Sequence, residues 1–124
     1  MSVREYHKHR ETAREHVHAR LAYWKTVYPF AHGQVRIKNT RRMWGSCSSK
    51  KNLNFNWRLV QLPTELADYV IVHELCHTVH LNHSRAFWEL VGQILPDWDV
   101  RRAQLRKIPI HSGLMQAMAQ WVGI

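Results

Sequence analysis

Apolar residues recur early in the chain at spacings of three and four: Ala13, Val17, Leu21, Trp24 and Tyr28. That is one face of an α-helix, and the pattern predicts a helix over residues 4–28, stopped by Pro29. Its other face is charged, with Glu11 and Arg14 placed to pair across one turn. After a turn at residues 29–33 the period changes to two. Residues 34–38 present Val35 and Ile37 to one side, residues 42–47 read as a second short strand, and residues 48–52 as a hairpin turn. Leu53-Asn54-Phe55-Asn56-Trp57 alternates without a break, as a half-buried strand does. Leu53, Phe55 and Trp57 are expected in the core, with Asn54 and Asn56 facing out.

Pro63 suits the first turn of a helix, predicted over residues 63–80. Leu66, Tyr69, Val70, Val72, Leu75 and Val79 make it apolar around most of its circumference, so it is expected to be buried. Asn82 can take the left-handed conformation that closes a helix. Ser84 is the expected N-cap of a helix over 85–95, Pro96 ends that helix, and Asp97 caps another over 98–108. Beyond Pro109 a last short helix is expected over 113–122. Helix, small antiparallel sheet, then helices is an α+β arrangement. It reads as one domain over 1–124, with N-terminal helix 4–28, core 34–108 and C-terminal helix 113–122.

A chain of 124 residues suffices for one core of this kind and not for two. The six tryptophans supply large apolar surfaces to it. The charged start, Met1-Ser2-Val3-Arg4-Glu5, lacks the apolar stretch of a secretory signal, and no apolar run approaches membrane-spanning length. A cytoplasmic protein with no membrane partner is the expectation. Two cysteines, Cys47 and Cys76, make neither a disulfide framework nor a zinc ribbon. The formal charge of +9 admits nucleic acid, nucleotides or acidic proteins as partners, although the cations are spread along the chain.

Chemistry enters with His73-Glu74-Leu75-Cys76-His77. Residues four apart on a helix share a face. Two imidazoles can therefore grip one zinc ion (Zn2+), with Glu74 beside them to take a proton from the water that the metal activates. In a chain with 10 histidines the bare motif arises by chance about 4% of the time, so a third ligand is needed to make a site. His83 is the best placed, just past Asn82 where the chain can fold back over the helix. Glu89, on the following helix, comes second. His80 comes third, because three ligands in one row along a helix cannot surround an ion. Cys76 points to another face and reads as core. Cys47 cannot be placed from sequence and stays open as a further ligand.

Arg42-Met43-Trp44-Gly45-Ser46-Cys47, Asn52-Leu53-Asn54-Phe55-Asn56-Trp57, the His73–His77 motif and Asn82-His83-Ser84-x-x-Phe87-Trp88 together resemble the YgjP-like metallopeptidase family, which is related to the SprT-type and WLM-type zinc proteases. The resemblance spans residues 36–108. It implies a zincin-like fold, zinc held by His73, His77 and His83, and Glu74 as the catalytic residue. The family's Arg-Trp-Gly-Ser reads Arg-Met-Trp-Gly-Ser here, so no role passes to Arg42. Many members also have a longer β-rich N-terminal segment where this chain has the helix over 4–28. Some members are assigned nucleotide pyrophosphatase activity, which leaves the substrate open.

Three functions follow as expectations. The first is peptide hydrolysis with Glu74 as general base, on a peptide or protein substrate aligned along the strand over 53–57. Oxyanion donors for it are suggested only as His80, Asn54 or Asn56. The second is zinc-dependent hydrolysis of nucleoside triphosphates. The third is a nucleic-acid-associated module of the SprT type.

Overall fold

The computed structural model describes residues 3–110, and the helix expected over 113–122 lies outside them. Helix α1 (Val3–Val27) opens the chain. Its apolar stripe is buried at Ala13, Val17, Leu21 and Trp24, and Glu11 pairs with Arg14 on the outer face at 3.4 Å. Strands β1 (Val35–Lys38), β2 (Gly45–Cys47) and β3 (Leu53–Asn56) follow, then a 3-10 helix (Trp57–Gln61) and helices α2 (Thr64–His77), α3 (Arg85–Ile94) and α4 (Trp98–Arg106). The α+β class holds. Among the described residues no helix is long and apolar enough to cross a membrane.

The sheet differs from the expected antiparallel one. It is mixed, in the order β1-β3-β2. β2 and β3 form the hairpin, paired antiparallel with Ser46 opposite Asn54, while β1 lies parallel to β3 with Val35 opposite Leu53. The hairpin turn fixes the sense of β2 against β3. The link from β1 to β2 is not a hairpin, so no local signal set the direction of β1. β3 is therefore the central strand rather than an edge, and β2 holds the open edge on the side nearer α2.

The alternation in β3 also breaks at its end. Leu53 and Phe55 are buried as expected, but so is Asn56. Its Oδ1 accepts from the Arg58 backbone N–H at 3.0 Å, capping the 3-10 helix. Its Nδ2 donates to the carbonyls of Thr40 and Met43 at 2.8 and 3.0 Å. Asn56 thus pins the loop that leads into β2. Trp57 belongs to the 3-10 helix, which packs on α1, where His9 stacks on its ring with centroids 5.2 Å apart.

α2 is buried continuously from Leu66 to His77, held between the sheet, α1, α3 and α4. It ends at His77, short of residue 80, so Val79 lies beyond it and is exposed. Asn82 does not close it in the left-handed region. The described non-glycine residue with positive φ is Lys51, at 66° in the hairpin turn. Arg20 on α1 makes two hydrogen bonds, 2.8 and 2.7 Å, to the carboxylate of Asp68 on α2. The Asp68 side chain is only 7% exposed, so Arg20→Ala leaves a buried carboxylate without its cation. A loss of about 2 kcal/mol in denaturant stability is expected, below the cost for a fully buried pair because Arg20 is partly solvated. An unchanged urea midpoint would refute it.

Candidate metal centre

The helix spacing puts His73 and His77 one turn apart on α2, and the loop after α2 returns His83 to them. Ser84 then starts α3, its side chain accepting from the Phe87 backbone N–H. The three Nε2 atoms converge. His83 Nε2 lies 3.1 Å from that of His77 and 3.3 Å from that of His73. Zinc–nitrogen bonds of about 2.0–2.1 Å at tetrahedral angles require nitrogens about 3.3 Å apart, and both distances from His83 are close to that. Among the described residues these three histidines form the one group of its kind that could hold a metal ion.

The other ring nitrogens are occupied in a way that suits this. His77 Nδ1 lies 3.0 Å from the His80 carbonyl, which can only accept, so Nδ1 carries the proton and Nε2 keeps its lone pair. His73 Nδ1 lies 3.2 Å from the hydroxyl of buried Tyr69. Burial lowers the proton affinity of all three rings below the ordinary histidine value, most strongly at His73. They are therefore neutral, ligand-ready imidazoles at neutral pH. Phe87 stacks on His77 at 4.3 Å and Trp88 on His83 at 5.7 Å, walling the cluster with apolar rings.

Glu74 is fully buried, and neither carboxylate oxygen has a hydrogen-bond partner. Burial pushes its carboxyl well above the usual carboxylate range. Such an orphaned group in a native interior points to an ion, a water or a reacting molecule that completes it.

Other candidates from the sequence fall elsewhere. Glu89 is 61% exposed and pairs with Arg85 at 3.0 Å. His80 enters through its backbone carbonyl, not as a member of the ligand group. Asn54 and Asn56 alternate with core-facing Leu53 and Phe55 and so sit on the sheet face away from α2, where their amides donate to Ser46 and to the Thr40 and Met43 carbonyls. Cys47 is not in the ligand group either. It shares a sheet face with Gly45 and senses the charge of Glu74; burial first and then that charge push its thiol up to about 11.

Sequence reasoning gave no role at the site to Tyr69, Phe87, Trp88, Arg102 or Gly45. Tyr69 stands four residues before His73, a helical spacing that could have marked it. Arg102 on α4 lies over the Trp88 ring at 5.4 Å, and nothing local signals that contact. Gly45 is required by space. A Cβ there would lie 3.1 Å from Glu74 Cγ and 3.2 Å from both the Asn54 carbonyl and Val70 Cγ1. Gly45→Ala is expected to cost about 1–2 kcal/mol and, by displacing Glu74, to slow about tenfold any hydrolysis in which Glu74 takes part. Undiminished turnover would show that Glu74 does not depend on this contact.

Comparison with known proteins bears on the fold and the family. The crystal structure of the metallopeptidase zymogen abylysin from Pyrococcus abyssi has a similar fold, with a TM-score of 0.66 at 21% identity over 73% of this chain and 92% of that one. No curated protein matches the chain in sequence. The family described as YgjP-like, metallopeptidase domain, matches residues 4–108. That span takes in α1 as well as the motifs between residues 36 and 108, and the chain belongs to the YgjP-like metallopeptidase family.

Proposed function

We propose that this metallopeptidase is zinc-dependent, with His73, His77 and His83 as ligands and Glu74 as general base. The observation that carries the reading is the convergence of His83 Nε2 on those of His77 and His73, at 3.1 and 3.3 Å, beside a buried carboxylate that has no partner, one residue along from His73. Three neutral nitrogen donors, with no fourth ligand group beside them among the described residues, suit a catalytic zinc site rather than a closed structural one. When bound, zinc would polarise the scissile carbonyl and make the attacking water more acidic.

The chain's own residues do the rest. Glu74, desolvated and raised in proton affinity, takes the proton of the attacking water and passes it to the leaving amine. The His80 carbonyl and the Tyr69 hydroxyl hold the imidazoles in orientation. Phe87 and Trp88 exclude water from one side. The open edge of β2, not β3, is suited to align the substrate. The Trp44 carbonyl accepts from Asn56 N–H and Ser48 N–H donates to the Asn52 carbonyl, so residues 44, 46 and 48 turn toward β3. Gly45 and Cys47 turn their backbone groups outward, available to an extended peptide.

The test is metal analysis of the purified full chain, followed by hydrolysis of casein and of UTP with and without zinc. Casein cleavage restored by zinc supports the reading. Intact casein beside zinc-dependent UTP cleavage overturns it.

A further inference from the structure

The cations are spread along the chain, but the acids are not. No acidic residue occurs between Glu15 and Glu65, and outside that stretch cations and acids are equal in number, so the whole +9 excess resides there. The fold concentrates it further. Arg20 is engaged by Asp68, and Arg58 is buried. Arg36, Lys38, Arg41, Arg42, Lys50 and Lys51 remain on the sheet and its loops, all exposed, and none forms an ion pair with a described residue. Arg41 and Arg42 precede β2, while Lys50 and Lys51 follow it in the hairpin turn. Positive charge therefore brackets the edge strand at both ends.

Between them, a pocket of about 90 Å3 is lined by Lys38, Thr40, Met43, Ser46 and Asn54. Asn54 Nδ2 donates to Ser46 Oγ at 3.2 Å, and its Oδ1 is buried without a partner. A half-turn of the amide exchanges these roles. Oδ1 then accepts from the Ser46 hydroxyl, and the amide N–H groups donate into the pocket. A peptide paired to the open edge of β2 places alternate side chains on this face, beside Ser46.

We propose that this pocket and its flanking cations form a subsite for acidic side chains, so that the enzyme selects extended segments carrying Asp or Glu with one carboxylate against Lys38 and the Asn54 amide. The inference rests on the peptidase reading above. Nucleic acid fits the same charge less well. Trp44, Phe55 and Trp57 are buried and offer bases no stacking platform, whereas the open strand edge supplies the main-chain bonds that a peptide uses.

The test compares two fluorogenic peptides that differ only in Glu against Gln, cleaved by the zinc-loaded full chain. The Glu peptide is expected to show kcat/KM about fivefold higher at low salt, the gap closing as salt rises. Lys38→Glu, on an exposed side chain outside the catalytic group, should abolish or reverse the preference. A second arm needs no turnover. By fluorescence anisotropy, Glu74→Gln protein should bind the Glu peptide more tightly than the Gln peptide, and adding Lys38→Glu should remove the difference. Equal cleavage and equal binding of the two peptides overturn the subsite and leave the peptidase reading intact. If neither peptide is cleaved, the peptidase reading fails and the anisotropy arm still decides the subsite. A single-stranded oligonucleotide that binds more tightly at the same salt and displaces the Glu peptide overturns it in favour of nucleic acid.

Discussion

Glu74→Gln is expected to yield a protein that keeps its metal, loses peptide hydrolysis by about 10²–10⁴-fold and, freed of metal, outlasts the native chain at neutral pH. The first two effects follow from roles. Glu74 is not among the three nitrogens that converge, so metal content should be unchanged. An amide of the same shape cannot take a proton from water. The third follows from burial. Glu74 has no hydrogen-bond partner, and burial holds its carboxyl well above the ordinary glutamate value of about 4.5. In the unfolded chain it ionises near that value; in the folded chain it keeps its proton to higher pH. The folded state thus binds more protons across that window, and stability falls as pH rises through it, by up to about 1.4 kcal/mol per unit. The three histidines act in the opposite sense below pH 6.5, because their folded proton affinities are lowered, but they are common to both proteins. The difference between the two metal-free stability curves therefore isolates Glu74. It should be small near pH 4.5 and widen toward neutrality. Parallel curves would mean that Glu74 is partnered in solution, and retained hydrolysis would remove it as the base.

The helices were legible because each carried a local signal. The stripe from Ala13 to Trp24 is buried on α1 as its spacing implies, and Ser84 caps α3 with its side chain. At the N-terminus of α4, Asp97 occupies the cap position, but its carboxylate reaches Arg101 instead, at 3.0 Å. The sheet was less legible. A hairpin announces itself through a short turn between alternating runs, and β2 and β3 pair as expected. The place of β1 depends on which edge of the hairpin buries Val35 and Ile37, a tertiary choice with no sequence period. Asn56 shows the same limit. Alternation assigns it to solvent, yet the loop over Thr40 and Met43 needs its amide inside.

The candidate centre was legible because its three histidines are close in sequence. His73 and His77 share a helix face by spacing alone, and His83 follows within one loop. What could not be read was the environment. Gly45 against Glu74 and Arg102 over Trp88 join segments far apart in the chain. The segregation of acids was present in the sequence all along, but it acquires meaning only once β2 is known to be the open edge.

Zinc titration of His83→Ala beside Glu89→Ala should separate a ligand from a bystander. At pH 7 the three imidazoles are neutral, since burial lowers each below its ordinary value, so protons do not compete for the ion. An ion that binds only the folded chain, present at a thousand times its Kd, should stabilise the wild type by about 4 kcal/mol. His83→Ala leaves two nitrogens projecting from a single helix, with nothing opposite to close the coordination sphere, and the same zinc concentration should then leave its thermal transition unshifted. The cost of His83→Ala in the metal-free protein should be small, because relieving three nitrogens crowded at 3.1 and 3.3 Å offsets the lost ring contacts with Phe87 and Trp88. Glu89→Ala removes a carboxylate that faces water and holds Arg85 across one turn, an interaction contributing about 0.3–0.5 kcal/mol. It should take up zinc and shift as the wild type does. A variant pair behaving in the reverse order, with zinc lost only on removal of Glu89, would move the third ligand to α3 and reduce the convergence on His83 to a packing contact.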